Sequence, residues 1–271
     1  MAPLVWLVTG ATSGIGRTLL SHITEKGDRV VATGRNAEAR LVDLRSNNVA
    51  VVDLDVSASR EEVAAQIKTA WEAFGRIDVL VNNAGVSAPK AIEEASDHFM
   101  QDLFSVNVFG PVRVTQCILP YFRRQSHGQI VFIGAGVSWG PIPFLTHYAA
   151  AKAALNSFVE GLRKELARLF GRVMGVFVDE IMPNVPGDVE RFAKTIIELV
   201  GDLERAKKLP VRVVLGSDAA AVVKQKCEEQ LQLLEEYRDV SRRADVDTAD
   251  TLDYSGTLKL ASMKEPSRIE M

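Results

Sequence analysis

A glycine-rich segment follows the first apolar run of the chain and constrains the fold more than any other feature. The apolar residues Leu4–Val8 lead into Thr9–Gly16, which reads Thr-Gly-Ala-Thr-Ser-Gly-Ile-Gly, and a stretch with helical periodicity comes next. Gly10 permits a tight turn, Gly14 lets the backbone approach a phosphate, and Gly16 lets the helix and the strand pack closely. A helix N-terminus also offers unpaired N–H groups and a positive dipole end to an anion. The segment therefore predicts a pyrophosphate site at a strand–helix junction. Its candidate binding residues are Gly10, Thr12, Ser13, Gly14, Ile15 and Gly16.

Short apolar runs alternate with helix-period stretches along most of the chain, which is typical of a parallel sheet covered by helices. We expect a single doubly wound α/β domain over residues 1–240, with a mostly parallel sheet of about seven strands. The predicted strands are Leu4–Val8, Arg29–Thr33, Val49–Leu54, Asp78–Val81, Gln129–Ile133, Val173–Val178 and Val211–Leu215. The predicted helices are 15–26, 59–74, 96–106, 112–124, 148–169, 188–200 and 217–240, with caps at Ser59 (in a box with Glu62), Ser96 and Ser217. Residues 241–271 carry few large apolar side chains, so we expect a loose tail.

Composition and charge exclude several classes of partner. Of the 271 residues, 47% are hydrophobic and 25% are charged, the balance of an ordinary soluble globule. Lys and Arg number 32 against 35 Asp and Glu, a net charge of -3 that gives no excess for binding nucleic acid. The two cysteines, Cys117 and Cys227, lack metal-ligand spacing, and we expect a reducing compartment and no metal. No uncharged apolar run reaches about 18 residues, and the N-terminus has no basic leader, so we expect a cytoplasmic protein without a membrane span.

Further motifs stand in a fixed order after the glycine-rich segment. Asp55-Val56 follows the third predicted strand, Asn82-Asn83-Ala84-Gly85 follows the fourth, Asn107 lies in Val-Asn-Val-Phe-Gly, and Tyr148 precedes Lys152 by four residues. In this combination the chain resembles the short-chain dehydrogenase/reductase family, closely over residues 4–178 and more loosely from 187 to about 240. The resemblance implies a dinucleotide cofactor across the carboxyl ends of the strands. It implies cofactor contacts from Asp55, Val56, Asn83, Ala84, Gly85, Tyr148 and Lys152. It also implies a homodimer or homotetramer that pairs through the helices holding Asn107 and Tyr148.

Tyr148 and Lys152 are the candidate proton-transfer pair. Residues four apart on a helix share one face, so the two side chains are expected to be neighbours. Tyrosine has a reference pKa of about 10, and a nearby ammonium favours the phenolate and lowers that pKa. The pair is then able to exchange a proton with a carbonyl oxygen while a nicotinamide exchanges hydride. By resemblance, Lys152 also binds the nicotinamide ribose, and Asn107 positions a water that links Lys152 to solvent.

The end of the second predicted strand favours NADP(H). A dinucleotide site selective for NAD usually has an acidic residue here for the ribose 2′-OH, whereas an arginine suits a 2′-phosphate. The sequence reads Val-Val-Ala-Thr-Gly34-Arg35, with Arg35 where the acid would stand. A guanidinium forks two donors onto a phosphate. Against this, Ser13 occupies the loop position where many NADP-preferring members carry a second basic residue.

Two departures from the family pattern affect the chemistry. The family usually has a serine thirteen residues before the catalytic tyrosine; here that position is Ala135, and Ser138 is the nearest candidate substitute. Losing such a hydrogen-bond donor to the developing oxyanion typically costs about 2.7–4 kcal/mol. The Pro-Gly corner after the sixth strand reads Asp179-Glu180, and the next predicted helix begins at Asp188. We therefore expect a shortened substrate lid.

The resulting prediction is an NADPH-dependent reductase of a carbonyl in a small, fairly apolar molecule, with Tyr148, Lys152, Asn107 and Ser138 as catalytic candidates. A redox-neutral cyclase, dehydratase or isomerase on the same fold is the first alternative, supported by Ala135 and the short lid. A non-catalytic NADP-binding sensor or scaffold is the second, and the retention of three catalytic candidates argues against it.

Overall fold

The strands of the molecule form one parallel sheet, in line with the run of apolar segments in the sequence. The computed structural model describes residues 2–166, 172–178, 188–201 and 210–243. The strands are β1 Val5–Val8, β2 Arg29–Gly34, β3 Val49–Asp53, β4 Val79–Asn82, β5 Gln129–Ala135, β6 Arg172–Val178 and β7 Arg212–Val214. They lie in the order β3-β2-β1-β4-β5-β6-β7, and each neighbouring pair is parallel. The predicted α/β class is confirmed. The tail expected beyond residue 240 falls largely outside the described residues.

Helices cover both faces of this sheet. They are α1 Gly14–Glu25, α2 Ala37–Arg40, α3 Arg60–Glu72, α4 Asp97–Phe104, α5 Gly110–Gln125, α6 Thr146–Leu166, α7 Val189–Val200, α8 Ser217–Glu236 and α9 Arg238–Arg242. The alternation along β1 shows how the two faces are filled. Trp6 and Val8 belong to a buried cluster with residues of α1 and α7, whereas Val5 and Leu7 belong to one with residues of α3, α5 and α6. Because both faces of β1 are buried, its four residues are all apolar rather than alternating with polar ones.

The chain reverses its direction of winding between β1 and β4. From β1 it moves outward to β2 and β3, and then returns past β1 to β4 and onward to β7. A crevice opens at such a switch point, outside the carboxyl ends of the strands, and this is where doubly wound sheets bind ligands. The glycine-rich segment follows β1 and the segment 83–85 follows β4, so the switch point brings the two together.

Local signals at helix ends were predicted with mixed success. The capping box is confirmed, since the Ser59 hydroxyl accepts from the Glu62 N–H and the Glu62 carboxylate accepts from the Ser59 N–H. Ser217 was predicted as a cap and is instead the first residue of α8, after Gly216. The predicted break between two helices around residues 106–112 is wrong. There a π-helical turn, Ser105–Phe109, joins α4 to α5 and keeps the helical path while inserting extra chain.

Within the part of the chain that the structure describes, no helix has both the length and the apolar character needed to cross a bilayer.

Candidate active site

The glycine-rich loop after β1 has the shape predicted for a phosphate site. Gly10 and Gly14 have φ values of 66° and 52°, in the left-handed region that favours glycine. A side chain at Gly10 would also collide with the backbone of Ala84, since its Cβ would lie 2.7 Å from the Ala84 Cα. The first turn of α1 carries no acidic residue, so its N–H groups and positive dipole end are open to an anion.

Hydrogen bonds fasten this loop to the segment after β4. The Thr9 hydroxyl accepts from the backbone N–H groups of Asn83 and Ala84, each at 3.0 Å. The Asn83 side-chain amide donates to the carbonyls of Thr9 and Gly10 at 2.9 and 3.2 Å. Asn83 therefore binds the glycine-rich loop through both its side chain and its backbone. These bonds explain why the second position of the Asn-Asn-Ala-Gly motif holds an asparagine.

A cleft of about 390 Å³ runs along the carboxyl ends of β1, β2, β3 and β4. It contains most of the predicted cofactor-binding residues. Its lining residues from that prediction are Gly10, Thr12, Ser13, Gly14, Ile15, Arg35, Asp55, Val56, Asn83, Ala84 and Gly85. Gly16 does not line it and packs behind the loop, where a Cβ would lie 2.5 Å from the Asn83 amide nitrogen. The Asp55 carboxylate accepts from the backbone N–H and the hydroxyl of Ser57, at 2.9 and 2.6 Å, which fixes its orientation at the cleft wall.

The predicted proton-transfer residues Asn107, Tyr148 and Lys152 lie close to one another beside this cleft, but none of them lines it, although Tyr148 and Lys152 were also predicted to bind the cofactor. A Cβ built on Gly85 would lie 3.0 Å from the Asn107 Oδ1 and 3.6 Å from the Lys152 Nζ, so both side chains stand directly behind a cleft-lining glycine. The Lys152 ammonium lies 5.8 Å from the centre of the Tyr148 ring and donates to the Ile133 carbonyl at 2.9 Å. Lys152 is 4% exposed and Tyr148 is 9% exposed. A buried ammonium beside a buried phenol is the pairing that the spacing of the two residues predicted.

Asn107 occupies the π-helical turn between α4 and α5 and is fully buried. Its side-chain amide donates to the carbonyls of Leu103 and Val86, at 2.9 and 2.8 Å, and its Oδ1 accepts from the Val86 N–H at 3.2 Å. π-Helical turns often occur at functional sites because they change the direction of one side chain. Here the turn brings Asn107 against the loop that follows Gly85.

Ala135 is buried at the end of β5, in an apolar cluster that includes Tyr148. The Ser138 hydroxyl, three residues later, donates to the Ala135 carbonyl at 2.6 Å and accepts from the Asn156 side-chain amide at 2.8 Å. Its single proton is thus used on a main-chain carbonyl. Ser138 would have to rotate away from that carbonyl before it was able to donate to a substrate.

Comparison with known proteins agrees with the motifs described above. The model of the family described as short chain dehydrogenase matches residues 4–185. The chain belongs to the short-chain dehydrogenase family. The resemblance stated from the motifs is therefore confirmed, and with it the assignment to a family of oxidoreductases.

Among relatives in this family, an uncharacterized oxidoreductase from Staphylococcus saprophyticus is 34% identical over 192 residues, which cover 69% of this chain and 82% of that protein. The 11-beta-hydroxysteroid dehydrogenase A of Sesamum indicum is 36% identical over 183 residues, which cover 65% of this chain and only 51% of that protein. A crystal structure of a short-chain dehydrogenase from Streptomyces avermitilis superposes with a TM-score of 0.81 at 32% identity and covers 90% of this chain and 100% of that chain.

Sequence reasoning missed one basic residue of this dehydrogenase site. Arg40, on α2, lines the same cleft as Arg35, and both side chains are exposed. The nearby acids are engaged elsewhere: Glu38 pairs with Arg45 at 3.4 Å, and Asp53 accepts from the Glu38 N–H at 2.9 Å. Only the tertiary fold places Arg40 at the cleft, since its sequence position in a four-residue helix carries no signal of its own.

The predicted shortening of the substrate lid concerns residues 179–187, which lie outside the described residues.

Proposed function

We propose that this short-chain dehydrogenase is an NADPH-dependent reductase of a carbonyl group in a small, fairly apolar molecule. One observation carries the proposal: Lys152 and Asn107 stand behind Gly85, which lines the same cleft as the phosphate loop, with the Tyr148 ring beside the Lys152 ammonium. A phosphate loop alone is compatible with many functions, whereas this convergence adds a proton donor at the place where a nicotinamide would end.

The chain's own residues supply the proton chemistry. Bound NADPH supplies hydride to the carbonyl carbon. Tyr148 gives its phenolic proton to the carbonyl oxygen, so the carbonyl becomes an alcohol and Tyr148 becomes a phenolate. The Lys152 ammonium stabilises that phenolate, and its bond to the Ile133 carbonyl keeps it in place. Asn107 holds the loop after Gly85 and, by the family resemblance, supports return of the proton from solvent.

The surroundings of Tyr148 favour an apolar substrate. Its ring belongs to a cluster with Leu103, Ala135, Val137 and Leu145, and Ile142 packs against that cluster. With alanine at position 135, the end of β5 presents a methyl group where the family usually presents a hydroxyl. A polar group of a substrate would gain little on this side, whereas apolar surface placed there would be removed from water.

The basic residues at the cleft favour NADP(H) over NAD(H). Arg35 follows β2 directly, and Arg40 brings a second guanidinium to the same cleft. Within the described residues neither forms an ion pair, so both charges are available to a ribose 2′-phosphate. Arg40 supplies the second basic group that the glycine-rich loop, with Ser13, lacks.

The substrate proposal is tested by NADPH oxidation over a panel of apolar aldehydes and ketones. We expect turnover by the unaltered chain, its loss in Tyr148→Phe, and an increase in Ala135→Ser. Activity that persists in Tyr148→Phe would contradict the role given to that residue. NADPH binding without oxidation in any of the three chains would contradict the reductase proposal for that panel.

The cofactor proposal is tested by fluorescence titration with NADPH and NADH. We expect Arg35→Gln and Arg40→Gln each to raise the Kd for NADPH about 10-fold, the effect of losing one modest charge-assisted contact, with little change for NADH. Arg45→Gln is the matched control, because Arg45 is also exposed but is paired with Glu38. Equal losses for both cofactors, or a loss in the control, would contradict the assignment.

A redox-neutral reaction is the second candidate, and the absence of a hydroxyl at Ala135 favours it. A cyclisation, dehydration or isomerisation would use Tyr148 as acid or base and the pocket as a template. It predicts product formation at constant NADPH absorbance. The carbonyl panel therefore separates it from the reductase when product is measured together with cofactor.

We also propose association into a homodimer or homotetramer through the helices that hold Asn107 and Tyr148. Phe109, at the junction of the π-helical turn and α5, is 55% exposed, and an exposed aromatic on these helices supports such a contact. Sedimentation of the unaltered chain and of Phe109→Asp tests this. We expect Phe109→Asp to sediment as a smaller assembly than the unaltered chain. An assembly of unchanged mass would place the interface elsewhere.

A further inference from the structure

The end of β5 extends beyond β4 on one side, whereas on the other side it stays paired with β6 as far as Ala135. On the side that faces β4 it is held by side chains. β4 ends at Asn82, opposite Phe132, whereas β5 continues for three more residues to Ala135. Buried carbonyls that lack a ladder partner need other donors. Two carbonyls of this extension receive them from side chains: Ile133 accepts from the Lys152 ammonium at 2.9 Å, and Ala135 accepts from the Ser138 hydroxyl at 2.6 Å.

The second of these bonds is itself supported from α6. The Asn156 side-chain amide donates to the Ser138 oxygen at 2.8 Å, and Asn156 is 7% exposed. Because the amide donates, the hydroxyl proton is directed at the Ala135 carbonyl rather than at Asn156. Hydrogen bonds in such a series polarise and strengthen one another. A relay thus runs from Asn156 through Ser138 to the end of β5.

The relay and the proton-transfer pair share one helix face. Tyr148, Lys152 and Asn156 follow one another at intervals of four residues on α6, and such residues lie along the same side of a helix. Lys152 and Asn156 therefore both fasten this face to the β5 extension. If the Asn156–Ser138 attachment is lost, β6 still pairs with the extension, but the side that faces β4 is held to α6 by the Lys152–Ile133 bond without that second support, and we expect this bond to shift.

We infer that Asn156 is a positioning residue, which acts through Ser138 to hold the end of β5 against α6 and so keeps the Lys152 ammonium beside the Tyr148 phenol. The inference rests on the proposed reductase function. It also assigns Ser138 a positioning role in place of the catalytic donor role expected from its sequence position.

The expected effect is on proton transfer rather than on binding. Reduction requires protonated Tyr148, so kcat falls as the pH rises through the pKa of that phenol. A displaced ammonium stabilises the phenolate less, which raises the pKa and moves the alkaline limb of the kcat profile to higher pH. For Asn156→Leu and Ser138→Ala we expect kcat near neutral pH to fall about 10-fold and the limb to move up by about one pH unit, with the NADPH Kd unchanged.

The double variant and two controls separate positioning from general destabilisation. Asn156→Leu combined with Ser138→Ala is expected to add nothing further, because the two residues act in series. Ser138→Thr keeps the hydroxyl and is expected to restore the profile. Thr115→Val is the matched control. The hydroxyl of Thr115, a buried residue of α5, also accepts from an asparagine side chain, that of Asn82, at 3.2 Å. Thr115→Val is expected to lower stability without moving the alkaline limb.

An alkaline limb that stays at its original pH in both single variants would overturn the inference, as would equal movement in Thr115→Val. A second readout does not depend on turnover: ultraviolet difference titration of the tyrosine phenolate with NADP bound, using Tyr148→Phe as the blank. If the unaltered chain reduces no carbonyl, the proposed function fails. The relay is then still tested by whether the two variants raise the pKa of Tyr148 in this titration.

Discussion

Thr9→Val should reveal how much the hydroxyl of Thr9 contributes to the stability of the dinucleotide cleft. The side chain is 1% exposed, and valine replaces the hydroxyl with a methyl group of similar size. Ala84 N–H then loses its acceptor, and Asn83 N–H keeps only its bond to the Val81 carbonyl at 3.0 Å. A buried N–H without a partner costs about 1–3 kcal/mol, and because these two N–H groups are only part-buried we expect about 1–2 kcal/mol.

Thr33→Val is the matched control for this prediction. Thr33 is also fully buried, but its hydroxyl only donates to the Val8 carbonyl, at 3.0 Å, so valine leaves no N–H without an acceptor. Urea unfolding of the cofactor-free chains measures both free energies. We expect Thr33→Val to lie within about 1 kcal/mol of the unaltered chain. A free energy of unfolding for Thr9→Val that is no lower than that of Thr33→Val would contradict this expectation.

Three further predictions concern other parts of the chain. Hydrogen bonds from the backbone and side chain of Ser59 hold the pKa of the Glu62 carboxyl below its usual range. The stabilising effect of Glu62 is therefore present above the ordinary glutamate pKa and is lost as the pH falls through the lowered value. The unfolding temperature of Glu62→Gln should therefore lie below that of the unaltered chain at neutral pH and approach it in acid. A difference in unfolding temperature that does not change with pH would contradict this. Burial raises the pKa of the Cys117 thiol, whereas Cys227 is exposed, so alkylation should show one fast thiol that disappears in Cys227→Ser. A Cβ on Gly16 would crowd the Gly10 carbonyl and lie 2.5 Å from the Asn83 amide nitrogen, so Gly16→Ala should displace the loop and weaken NADPH binding in fluorescence titration. Normal binding would show that the loop tolerates the added methyl group.

The sequence predicted the parts of the fold that depend on local pattern. Buried parallel strands read as short apolar runs, and loops with left-handed φ need glycine, so β1, the phosphate loop and α1 were identifiable from residues 4–26 alone. The capping box at Ser59 was equally visible, because its two partners are three residues apart. The π-helical turn at Asn107 was not, since residues 105–109 carry no signal that distinguishes it from an ordinary helical turn.

The parts of the site that were missed depend on contacts between distant elements. Arg40 reaches the cleft because α2 folds back toward the carboxyl end of β2, and Asn156 reaches Ser138 because α6 packs against β5. The role expected for Ser138 also depended on a contact with a distant residue. Its position near Ala135 suggested a replacement donor, but the direction of its hydrogen bond depends on Asn156, eighteen residues further along the chain.

The proposed hydride transfer is tested most directly by a single turnover with NADPH deuterated at the nicotinamide carbon that delivers hydride. We expect an alcohol that carries deuterium on the former carbonyl carbon, formed at the same rate as NADP, and we expect Tyr148→Phe to form none. A product that forms without deuterium while NADPH remains reduced would contradict the reductase assignment and identify a redox-neutral enzyme.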